Sequence, residues 1–99
     1  MHCMRDTKHK FIPNNLRRCR KVRGFSQKRV AQIMELKSTA MISRWETGRC
    51  IPNTEHLFDL AAVYQSTSEA LYYDYVQERR HKIATREELS GRNVMYEES

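Results

Sequence analysis

The chain has 99 residues, a hydrophobic fraction of 39%, a charged fraction of 30% and a formal net charge of +6. That length makes one domain with room for one small core, which argues against a large active-site cleft and most multi-step enzymes. No run approaches the ~18 apolar residues of a membrane-spanning helix, and no apolar signal stretch follows Met1, so the expectation is a soluble, cytoplasmic protein.

The charge is unevenly placed. Residues 1–29 carry ten Lys or Arg against Asp6 alone, a balance of +9; residues 30–49 carry +1, and residues 50–99 carry −4. A basic front and an acidic back imply one face for a polyanion and another for a different contact. The three cysteines, Cys3, Cys19 and Cys50, are an odd count without a CxxC pair, which fits neither a disulfide framework nor a zinc module. His2, Cys3 and His9 fall short of the four preorganised ligands of structural zinc, so neither a metal nor a cofactor is expected.

With two prolines and three glycines the chain reads as mostly helical. Residues 1–13 lack periodicity and read as a basic flexible arm. Asn14 or Asn15 caps a first helix from Leu16 to about Arg23, and Gly24 ends it. Ser26 caps a second helix, Gln27 to about Met34, with Val30, Ala31, Ile33 and Met34 partly buried. Glu35 to Lys37 make a tight turn, in a place where φ > 0 is commonly needed. Ser38 caps a third helix, Thr39 to Thr47, stopped by Gly48. Asn53 caps a fourth with Leu57, Leu60, Ala61 and Tyr64 at helical spacing. Ser66 to Glu69 has the form of a capping box and opens a fifth helix with Leu71, Tyr72, Tyr75 and Val76. Residues 77–99 form a charged helical extension and tail.

Two short helices joined by a three-residue turn have the shape of a helix-turn-helix. The detail goes further: Leu16-x3-Arg20-x3-Gly24-Phe25-Ser26-Gln27, then Val30-Ala31, then Ile42-Ser43-Arg44-Trp45-Glu46-x-Gly48-Arg49, Pro52 and Leu57-x2-Leu60-Ala61. These spaced motifs make residues 16–76, within an expected domain of residues 14–76, resemble the lambda-repressor-like (Cro/CI-type, XRE-like) helix-turn-helix family. The resemblance implies an all-α, compact five-helix DNA-binding domain. It also implies a bacterial or phage transcriptional regulator, nucleoid-associated, a repressor acting as a homodimer on double-stranded DNA.

Taken at 100° per residue with Ile42 inward, the third helix places Trp45 and Glu46 on the inward side with Thr39 beside them. Ala40, Ser43, Arg44 and Thr47 face out. That outward face has one long donor, Arg44, among small residues, which suits a groove about 12 Å wide and fork-like donation to a guanine. Thr39, Ala40, Ser43 and Arg44 are therefore the candidate base readers, with the Thr39 methyl aimed at a thymine and Met41, on the flank, either doing the same or packing against the second helix. Glu46, near the buried side, needs a partner, and the resemblance implies Arg20. Lys28 sits in the first turn of the second helix, where a phosphate reverses an otherwise unfavourable dipole interaction. The resemblance implies that Gln27 clamps the DNA backbone there. Ser38, Thr47, Arg49 and Arg17 or Arg18 are further phosphate candidates, and Arg29 faces solvent. Lys8 and Lys10 place the arm near a backbone or minor groove.

The acidic half leaves Tyr72, Tyr73 and Tyr75 as a candidate self-contact patch. Two rival readings follow from the same residues. One is an antitoxin-type regulator whose segment from Glu69 to Ser99 also docks a basic protein partner. The other is a protein-interaction module that lacks DNA binding. No nucleophile–base pair or metal-ligand cluster points to an enzyme.

Overall fold

The computed structural model describes residues 11–89. Among them run six helices: α1 (Leu16–Arg23), α2 (Gln27–Ile33), α3 (Ala40–Glu46), α4 (Thr54–Tyr64), α5 (Ser68–Leu71) and α6 (Tyr73–Leu89). Five of the six starts are marked by side chains that accept an otherwise orphaned backbone N–H. Asn14 Oδ1 accepts from Leu16 N at α1, and Ser26 Oγ accepts from Arg29 N at α2. Ser38 Oγ accepts from Ala40 N at α3, Asn53 Oδ1 from His56 N at α4, and Thr67 Oγ1 from Ala70 N at α5.

Four helix ends repeat one device, a pair of backbone bonds folded over a residue of positive φ. At α1 it is Gly24 (φ 76°), with Phe25 N donating to Arg20 O; at α3 it is Gly48 (φ 80°), with Arg49 N donating to Arg44 O. At α2 and α4 the same positions hold Glu35 (φ 59°) and Gln65 (φ 53°), with Leu36 N donating to Ala31 O and Ser66 N to Ala61 O. The turn after α2 thus takes the left-handed conformation expected for Glu35 without the glycine that makes it cheap.

The core gathers one or two residues from each of α1 to α5: Leu16, Val30, Ala31, Ile42, Trp45, Leu60, Tyr64 and Leu71, closed by Cys50, Tyr72 and Ile12. Trp45 is the largest fully buried side chain, and its ring lies 5.4 Å from that of His56 in the first turn of α4. Cys19 is half-buried against the core, and burial pushes its thiol pKa up. Among the described residues no helix is long and apolar enough to cross a membrane.

Six expectations need correction. The expected fifth helix is two, α5 and α6, because the backbone breaks at Tyr72 (φ −125°, ψ 40°), whose side chain turns into the core and is 4% exposed. Tyr72 is therefore no surface patch residue; Tyr73 is exposed and Tyr75 half-buried. The start of α5 is capped by Thr67 rather than Ser66, one residue later than the capping-box pattern suggested. The third helix is shorter than expected at both ends, since Thr39 and Thr47 stand as its caps.

The folded body also begins earlier than residue 14. Ile12 is 2% exposed and its N–H donates to Gly48 O at 2.8 Å. Residues 11–13 are thus part of the domain and not of a flexible arm. The expected boundary between residues 76 and 77 falls inside α6. The rest of the expected arm, with Lys8, Lys10 and the His2, Cys3 and His9 group, lies outside the described residues, as does the tail beyond 89.

Candidate nucleic-acid interface

A helix of seven residues is too short to hold itself in water, so α3 depends on its surroundings. Ile42 and Trp45, three residues apart, drive its inner side into the core. Glu46 is then carried to the same side, where its side chain is 5% exposed. Arg20 on α1 meets it with two bonds: Nε donates to Oε2 at 2.5 Å and Nη2 to Oε1 at 3.1 Å. The guanidinium also donates through Nη1 to Phe25 O at 3.0 Å, which fixes the chain between α1 and α2. Its bond to Glu46 holds the Arg20 pKa above the usual arginine value. The ion pair expected from the resemblance is therefore present and two-pronged, the geometry in which a guanidinium binds a carboxylate most strongly.

Gln27 joins this network. Its Nε2 donates to Glu46 Oε1 at 3.0 Å. One carboxylate thus ties the first residue of α2 to the last residue of α3 and both to α1. One amide N–H and the amide carbonyl of Gln27 lie outside that bond.

The segment before α1 forms a strap across the end of α3. Asn14 Nδ2 donates to Ile12 O at 3.0 Å, Trp45 O at 3.1 Å and, more weakly, Glu46 O at 3.4 Å. Asn14 Oδ1 at the same time receives Leu16 N, so one side chain joins the strap, the start of α1 and the end of α3. Gly48 has a second reason to be glycine: a Cβ there would stand 2.5 Å from Ile12 O and 2.6 Å from Ile12 N.

The other side of α3 carries candidate base readers. Ala40 and Arg44 are exposed, Ser43 half-buried. Thr39 is half-buried just before the first turn, and its carbonyl accepts Ser43 N. Arg44 rests against Met41, with Nη1 3.7 Å from the thioether sulfur, so its guanidinium is laid along the helix rather than extended. The phosphate candidates divide. Arg17, Lys28 and Arg49 are exposed. Ser38 accepts from Ala40 N and keeps its own hydroxyl proton for another acceptor. Thr47 is different: its hydroxyl donates back to Ser43 O at 2.9 Å and Arg44 O at 3.3 Å, which commits its one proton to the helix. Arg18 and Arg29 are exposed.

A helix-turn-helix family model, of the XRE or lambda-repressor-like kind, matches residues 16–71. The chain belongs to this helix-turn-helix family. Its members are DNA-binding regulator domains rather than enzymes, and the six-helix, strandless described fold fits a small all-α domain of this type. No curated protein and no solved structure matches the chain.

In this helix-turn-helix protein the matched stretch begins at Leu16, four residues after Ile12 and two after Asn14. Sequence reasoning missed both as positioning residues. The only signals were an apolar pair, Phe11-Ile12, at the end of a basic run, and an asparagine that looked like a simple cap. Their partners lie more than thirty residues away, and no local pattern records that.

Proposed function

We propose that the protein is a sequence-specific transcriptional regulator, a repressor, that inserts α3 into the major groove of double-stranded DNA and acts as a homodimer in the cytoplasm of a bacterium or phage host. The observation that carries this reading is the contrast between the two sides of α3. Its inner side is locked by Trp45, the Arg20–Glu46 pair and Asn14. Its outer side offers Ala40 and Ser43 with Arg44 as the one long donor. Small residues let the helix seat deeply, and a single guanidinium reads a guanine edge through O6 and N7.

Within this reading Arg44 is the main base reader, and Ser43, Ala40 and Thr39 fit the neighbouring edges. Lys28, Gln27, Ser38, Arg49 and Arg17 hold phosphates on either side. Those contacts give affinity and register without reading sequence. Gln27 serves with its second amide N–H, since the first is held by Glu46. Thr47 supports α3 rather than the DNA. A repressor needs no more than this occupancy, because a bound regulator excludes other proteins from the same duplex.

The test is selection of bound duplexes from a random pool, followed by the Arg44→Ala variant on the recovered site. Arg44 is exposed, so the fold should be kept. The variant should lose about 1–3 kcal/mol of discrimination between the selected and a random duplex, with weaker change on the random one. Equal discrimination by the folded variant, measured by titration at fixed salt, would remove Arg44 from the reading.

A further inference from the structure

We infer that Asn14 is a specificity-determining positioning residue: it fixes α3 against α1, so that contacts to the DNA backbone bring the base readers into register. The inference rests on the α3 reading above and adds to it the residue that sets the frame.

Asn14 belongs to neither helix, yet its side chain meets both. Oδ1 accepts from Leu16 N at 3.0 Å and so starts α1. Nδ2 donates to Trp45 O at 3.1 Å and, more weakly, to Glu46 O at 3.4 Å, the last two carbonyls of α3. The carbonyls that end a helix lack a partner within it, so this amide is a cap supplied from another part of the chain. The segment around it is tied on both sides. Ile12 N donates to Gly48 O at 2.8 Å, while Asn15 N donates to Leu71 O at 2.8 Å and Asn15 Nδ2 to Ala70 O at 3.1 Å.

Two polar ties therefore join α1 to the end of α3, and they act in different directions. The end carbonyls held by Asn14 point along the axis of α3. The Glu46 carboxylate held by Arg20 leaves the helix sideways. Asn14 and Arg20 stand about 9 Å apart along α1 at the usual helical rise. The apolar packing of Ile42 and Trp45 is non-directional and does not by itself set a rotation. With both polar ties made, α3 can neither slide nor turn against α1.

That frame matters more to base reading than to phosphate contact. A turn of about 20° carries a side-chain end, about 6 Å from the helix axis, through about 2 Å. A hydrogen bond to a base edge is lost at that displacement, because its donor–acceptor distance spans only about 0.5 Å. Long side chains such as Lys28 and Arg17 follow a phosphate through the same movement, and they read no sequence. Arg17 lies in the turn that Asn14 starts, so the tie links a phosphate holder to the base reader Arg44.

The test uses the full chain on a duplex selected from a random pool and on an unrelated duplex. The readout is the ratio of the two dissociation constants at fixed salt. Partial unfolding multiplies both constants by one factor and leaves the ratio unmoved. Asn14→Ser keeps an oxygen that can start α1 but gives up the amide N–H bonds to α3. It should lower the ratio about 5- to 10-fold and leave the salt slope on the unrelated duplex unchanged. Asn14→Asp keeps the shape and the acceptor while losing the donor, and should lower the ratio at least as far. Gly24→Ala is the control: φ +76° strains it, nothing stands within 4 Å of the added Cβ, and the ratio should stay as it was. A ratio kept by Asn14→Ser, or lowered as much by Gly24→Ala, would overturn the inference. Arg44→Ala, measured alongside, separates the two levels. If it flattens the ratio and Asn14→Ser does not, the α3 reading stands and this inference falls; if neither variant moves the ratio, both fall.

Discussion

Helices α3 and α6 are opposite solutions in one small domain. The seven residues of α3 include two in the core, and its end is tied by Arg20, Gln27, Asn14 and, through Gly48, Ile12. The seventeen residues of α6 include none in the core. An ion pair that holds it to the body, Arg80 with Glu69, joins side chains 60% and 48% exposed, and such pairs add little stability. Length therefore does not mark the rigid element here. The short element is fastened at its C-terminal end, while the long one has Tyr75 and Val76 packed against the core and leaves Ile83 and Leu89 exposed.

The comparison can be broken most sharply at Glu46. Glu46→Ala leaves Arg20, its side chain 11% exposed, without its carboxylate and releases Gln27, so the domain should lose about 3 kcal/mol in denaturant unfolding, the low end for an enclosed pair. A loss below about 1 kcal/mol would mean that α3 is held by apolar packing alone. Next is Gly48→Ala, which meets both the positive φ and the backbone of Ile12. It should cost about 2–4 kcal/mol and raise hydrogen exchange at the Ile12 amide, the sign that the strap has lifted. Glu35→Gly runs the other way. Relief of the left-handed strain exceeds the added chain entropy, and the protein should gain about 0.5–1 kcal/mol. The smallest effect sharpens the other half of the comparison: Ile83, 45% exposed on α6, can become Lys with a shift of no more than about 0.5 kcal/mol in denaturant unfolding.

Much of the frame that carries α3 was legible in the residues. The bounds of α1, the stops at Gly24 and Gly48, the caps Ser26 and Asn53 and the inward phase of Ile42, Trp45 and Glu46 all follow from interactions within one or two helical turns. The Arg20–Glu46 pair came from the family resemblance. The missing glycine at Glu35 was visible too, and the backbone accepts the strain it implies. Gln27 was legible only in part: its place at the start of α2 was read, but not that Glu46 holds its amide.

By itself, then, the sequence determined the all-α class, the helix-turn-helix order and which side of α3 faces out, because helical periodicity and capping chemistry are local and repeat every few residues. Only the tertiary structure decided that residues 11–13 belong to the body, that Thr47 turns its hydroxyl back on α3, and that Tyr72 breaks the expected fifth helix to enter the core. The strap and the break are set by contacts between distant segments, such as Asn14 with the Trp45 carbonyl and Asn15 N with Leu71 O. They exist only once the segments have packed, and their residues look the same in sequence whether buried or free.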